Sequence, residues 1–158
     1  MGVNNYVQMM IDSLQMKIRI LQQLVKLNEE QAAIASTPQF DEDAFKENAE
    51  KKEELINNLD NLDGGFQSVF DRIKIDLTEN RQEYLSEIET MQKQIREVTD
   101  LSVQIQAQEA RNKTSLQNRF NMMKKDIQNA KRSTKLANQY YKNVNRIDAE
   151  PQFMDQKN

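Results

Sequence analysis

Apolar residues first recur at Val7, Ile11, Leu14, Ile18, Leu21 and Val25, in alternating steps of four and three, with Met10, Leu24 and Leu27 beside them. That spacing is one face of a helix and predicts a first helix over about residues 4–35. The segment "STPQFDED" interrupts it. Asp41 is an N-cap candidate there, with Glu42 and Asp43 in the first turn and Phe40 and Phe45 at the positions of a hydrophobic staple. An earlier start, with Thr37 as cap and Pro38 at the first helical position, fits the same rules. A second series, Phe45, Ala49, Lys52, Ile56, Leu59, Leu62, Phe66, Val69 and Ile73, predicts a helix over about 41–75. Gly64 and Gly65 lie inside it, but the phase is the same on both sides. The expectation is therefore a continuous helix weakened by about 1 kcal/mol per glycine, with room for a bend or a close backbone approach.

At "KIDLTEN", Asp76 and Glu79 have the spacing of a capping box, which predicts a third helix beginning near residue 79. Its stripe runs through Ile88, Met91, Ile95, Val98, Ser102, Ile105, Glu109, Asn112, Leu116, Phe120, Met123, Ile127, Ala130, Thr134, Ala137, Tyr141 and Val144. No proline or glycine occurs between Gly65 and Pro151. A helix over 79–145 would be about 100 Å long, twice the reach of either earlier helix. The expected fold is all-α: an antiparallel three-helix bundle with a long C-terminal helix that extends beyond it or folds back. The polar residues Ser102, Glu109 and Asn112 at stripe positions mark where a hinge or reversal would fall. This gives a bundle over 1–110, a C-terminal helical segment over 111–146 and a tail over 147–158.

Composition agrees with few, long helices. Among 158 residues there are three glycines, two prolines and no cysteine, tryptophan or histidine. So few turn residues cannot punctuate a many-stranded sheet. Without cysteine there is no disulfide framework or thiolate chemistry, and without histidine the commonest general base and metal ligand is missing. No catalytic set, metal site or cofactor site emerges, and the expectation is a protein that is not an enzyme. The stretch "MGVNNYVQMM" lacks the order of a secretory leader and has no Ser or Thr at position 6 to support myristoylation of Gly2. No run has the length of a membrane span. A soluble, cytoplasmic chain is expected.

Charge divides the chain in the same place as the stripe. Residues 1–110 carry 11 Lys and Arg against 21 Asp and Glu, a net of −10, whereas residues 111–146 carry 10 against one, Asp126, a net of +9. A basic amphipathic segment of this kind can lie on an anionic membrane, bind nucleic acid, pair with the acidic stretch 41–63, or receive an acidic amphipathic partner helix. The thin apolar face argues against membrane insertion, and no nucleic-acid motif accompanies the charge. The last two readings are compatible, because a weakly paired helix can be displaced by a better partner.

The order of these pieces resembles the FlgN family of flagellar type III export chaperones over most of the chain. A first helix ends near "LVKLNEEQAAI"; a second carries "EKKEELINNLDNL"; a long third carries "VTDLSVQIQAQEARNK". The ending "FMDQK" is similar to that of Gram-positive members, and the glycine-containing tail of some proteobacterial members is absent. The resemblance implies a cytoplasmic chaperone that keeps hook–filament junction proteins (hook-associated proteins) monomeric and delivers them to components of the export apparatus. It implies that the client's amphipathic C-terminal helix docks on the chaperone's C-terminal helix. Carried over residue by residue, the contact stripe is Leu116, Phe120, Met123, Ile127, Ala130, Ala137, Tyr141 and Val144. Phe153 and Met154, beyond Pro151, are either a second anchor or a lid over the end of the bundle. Tyr141 is expected to face inward, with Tyr140 at the rim. A monomer or weak homodimer is expected. The alternatives are a coiled-coil homodimer acting as a structural adaptor, and a sister chaperone for another flagellar client.

Overall fold

The computed structural model describes the backbone of residues 3–149 and the side chains of residues 4–143. Three α-helices follow in order, α1 (Val3–Ser36), α2 (Glu42–Glu79) and α3 (Leu85–Ala149), with a single 3₁₀ turn (Arg81–Tyr84) before the last. The chain divides into two units, Met1–Ser115 and Leu116–Asn158.

Local chemistry explains the breaks. Asp41 has extended backbone angles and its carboxylate accepts from the Ala44 amide at 3.0 Å, so it caps α2. Phe40 and Phe45 lie with ring centroids 5.7 Å apart, as a staple requires. Thr37 does not cap α2. Its hydroxyl lies within hydrogen-bond distance of the Ile34 and Gln39 carbonyls, either of which can accept its one proton, and so belongs to the end of α1.

The second break differs from expectation. Asp76 is not the cap of α3, because α2 continues through it to Glu79 and α3 begins at Leu85 instead of near 79. Ile73 and Leu77 are both buried, which holds this last stretch of α2 on the core. The Asp76 carboxylate instead accepts from the Asn80 side-chain amide at 2.5 Å and from the Tyr84 hydroxyl at 3.5 Å. Burial, followed by the Asp76 and Glu83 carboxylates, pushes the Tyr84 phenol up from its ordinary value.

Within Met1–Ser115 the three helices pack up, down and up. One apolar layer joins Val7, Met10 and Leu14 of α1 to Ile73 and Leu77 of α2 and to Tyr84 and Met91. The next joins Ile20, Leu21 and Leu24 to Leu55, Leu59 and Leu62 of α2 and to Val98, Leu101 and Ile105 of α3. The third layer is polar: Asn28, Gln31, Asn48, Lys52, Gln108 and Asn112 are all buried. Its amides bond across helices. Asn112 Nδ2 donates to the Asn28 carbonyl at 2.9 Å and to Gln31 Oε1 at 3.2 Å, Gln108 Nε2 to the Val25 carbonyl at 3.2 Å, and Asn48 Nδ2 to the Leu27 carbonyl at 2.8 Å. Asn28 Nδ2 donates to Gln108 Oε1 at 3.3 Å. Lys52 reaches Gln31 Oε1 at 3.4 Å and the half-exposed Glu109 carboxylate at 2.6 Å. Further along, Gln94 Nε2 donates to the Ile11 carbonyl at 3.1 Å. Each α3 amide thus meets an α1 carbonyl 83 or 84 residues earlier, so α1 and α3 run parallel in fixed register.

The polar residues expected to mark a hinge or reversal do neither. α3 is unbroken from Leu85 to Ala149. Asn112 is a core residue, the Ser102 hydroxyl donates to the Val98 carbonyl at 2.7 Å, and Glu109 faces outward to pair with Lys52. A helix that makes its bonds to its neighbours through amides needs no break where its apolar residues run out.

Gly64 and Gly65 lie within continuous α2, and a Cβ built at either position meets nothing within 4 Å. A close backbone approach is therefore not what they provide. Replacing both by alanine is expected to stabilise the chain by about 2 kcal/mol and raise Tm by roughly 5–10 °C, since each glycine costs about 1 kcal/mol in a helix. A thermal melt followed by circular dichroism checks it. A lower Tm would mean that the pair serves a bend that alanine resists.

Candidate partner-binding face of α3

The stripe expected to bind a partner lies on the second half of α3. Leu116 is buried and Met123 half-buried. From there the apolar positions open to solvent: Phe120 is 42% exposed, Ile127 55% and Tyr141 63%, and Ala130 and Ala137 are exposed as well. At 100° per residue these side chains, with Thr134, occupy one face over about seven turns. Val144 lies on α3 but its side chain is outside those described, and Phe153 and Met154 lie outside the described residues. Tyr141 does not face inward. Both tyrosines are exposed, and their rings meet edge to face with centroids 5.7 Å apart.

Two exposed residues fall elsewhere. Met122 and Leu136, 62% and 60% exposed, point away from that face, beyond the edge on which Tyr140 stands. Their spacing of fourteen, with Asn129 midway, left no periodic signal to find.

Chemically this face offers contact area without acid–base groups. An apolar row at three-and-four spacing has the geometry on which another amphipathic helix can dock, since both rows would lose water on meeting. Lysines and arginines near it add a positive long-range field that would attract an acidic surface. Elsewhere, a groove of about 390 Å³ between α1 and α2 is lined by Gln23, Lys26, Leu27, Lys51, Glu54 and Leu55. Among the described residues no cluster of His, Cys, Asp and Glu could hold a metal ion, and no helix is long and apolar enough to cross a membrane. In comparisons with known proteins, no family model, no curated protein and no solved structure matches this chain.

Proposed function

We propose that the chain is a helical export chaperone that holds the amphipathic C-terminal helix of a hook–filament junction protein on the second half of α3. One observation supports this reading above the others: Phe120, Ile127 and Tyr141 stand exposed on one helical face, in a segment with net charge +9. Apolar rows of this kind mark interaction sites. The client helix would lay its own apolar row on this face, which hides it from other client copies and keeps the client monomeric until delivery to the export apparatus in the cytoplasm. Nothing is transformed in this scheme; the chaperone works by occupying a surface that would otherwise self-associate.

Titration calorimetry of the full chain against C-terminal peptides of junction proteins tests the proposal, alongside sedimentation of the chain alone across a hundredfold concentration range. Saturable binding by a chain of constant mass is the expected result. No binding, with mass doubling as concentration rises, would assign the face to a homodimer. Binding of flagellin or filament-cap peptides in preference would assign the chain to a different client.

A further inference from the structure

The charge on the second half of α3 is not spread evenly around its apolar face. Lys124, Lys131, Lys135 and Lys142 are exposed, and their steps of seven, four and seven put them along one edge of the face. The opposite edge carries Arg119, Asp126, Ser133 and Tyr140, whose formal charges cancel. One edge is therefore +4 and the other zero.

In paired helices the edge residues of one face those of the other, and their charges select partner and direction. An apolar row alone discriminates poorly between a partner running one way and the same partner reversed. A charged edge on one side removes that ambiguity, because reversing a partner moves its acidic edge to the far side. We infer that the site takes a helix whose acidic residues are confined to one edge of its apolar row, and that this edge, laid against Lys124, Lys131, Lys135 and Lys142, sets the direction in which the partner runs. The inference rests on the helix-docking reading above and deepens it: it specifies the partner's charge pattern and polarity.

The test uses the full chain and three designed helical peptides of 28 residues with the same leucine row. One has glutamates on one edge, one has them on the other, and one has glutamine in their place. Because the chain has no cysteine, N118C gives a single labelling site for energy transfer from a dye at the peptide N-terminus. Each glutamate peptide is expected to bind about tenfold tighter than the glutamine peptide at low salt, an advantage lost in high salt. The two are expected to run in opposite directions, one with high transfer and the other with low. The K124Q/K131Q/K135Q/K142Q variant, helical by circular dichroism, is expected to bind all three alike. Equal binding of the glutamine and glutamate peptides by the unaltered chain, or one direction for both, would overturn the inference while leaving helix docking intact. Failure of all three to bind would overturn helix docking as well. Binding to phosphatidylserine vesicles that no peptide displaces would assign the lysines to a lipid surface.

Discussion

Aspartate at Ile127 and Tyr141 is expected to weaken client-helix binding by at least about a hundredfold while leaving Tm within a degree or two. Both side chains are more than half exposed, so the folded chain buries little of either, and substitutions at such positions seldom move stability by more than about 0.5 kcal/mol. In a docked complex the same side chains would sit in the centre of the contact. Truncating a central aromatic or aliphatic anchor typically costs about 2 kcal/mol or more, and a buried unpaired carboxylate costs further. Two such changes give the hundredfold figure, which titration calorimetry reads directly. Aspartate at Met122 and Leu136, equally exposed but pointing away from that face, serves as the control. A loss of binding there alone would move the site to that side of the helix.

The polar layer carries the second large effect. Alanine at Asn112 is expected to cost about 2–3 kcal/mol and lower Tm by roughly 10 °C. The side chain is 4% exposed and its amide serves two acceptors, the Asn28 carbonyl and Gln31 Oε1. Its removal opens a gap and leaves Gln31 Oε1 with the longer Lys52 contact at 3.4 Å. Methionine at Lys52 should behave oppositely. It keeps the length of the side chain and removes a charge whose desolvation is only partly offset by a half-exposed Glu109, so stability should stay within about 1 kcal/mol of the original or rise. Denaturant melts of the two variants separate the explanations. Equal losses would mean that the layer acts through shape alone.

The helices and the first break were legible because their causes are local: an unbroken three-and-four spacing, a proline, and a cap at Asp41. Facing was harder. An apolar row through α3 points Ile95 inward, yet Ile95 is 48% exposed and its neighbour Gln94 is buried. The same one-residue error put Glu109 in place of Gln108, and Ile56 in place of Leu55, in the expected core. Hydropathy cannot reveal that an amide will find a carbonyl on the next helix, because that bond depends on the register of residues more than eighty apart. The misplaced start of α3 has another cause, the burial of Ile73 and Leu77, which carries α2 past Asp76. Asp76 has the spacing of a capping box, and only its contacts with Asn80 and Tyr84 show that it closes α2 instead. On the second half of α3, the alignment of Phe120, Ile127 and Tyr141 on one face was legible from their spacing, whereas the exposure of Tyr141 and of Leu136 was not.

Fixed register between parallel helices also limits how this architecture can change length. Gln94 and Gln108 stand fourteen residues apart on α3, and so do the carbonyls of Ile11 and Val25 that they bind. Deleting one residue between the two glutamines would swing Gln108 and Asn112 about 100° away from their acceptors. Deleting seven would restore their facing, but only if α1 lost seven in step and α2 shortened to match. The bundle can therefore grow or shrink only in steps that keep every face in place, such as a heptad taken from all three helices together. Homologous chains of different length should differ within the bundle by such triplets of steps, and otherwise outside the stretch that Gln94, Gln108 and Asn112 hold in register.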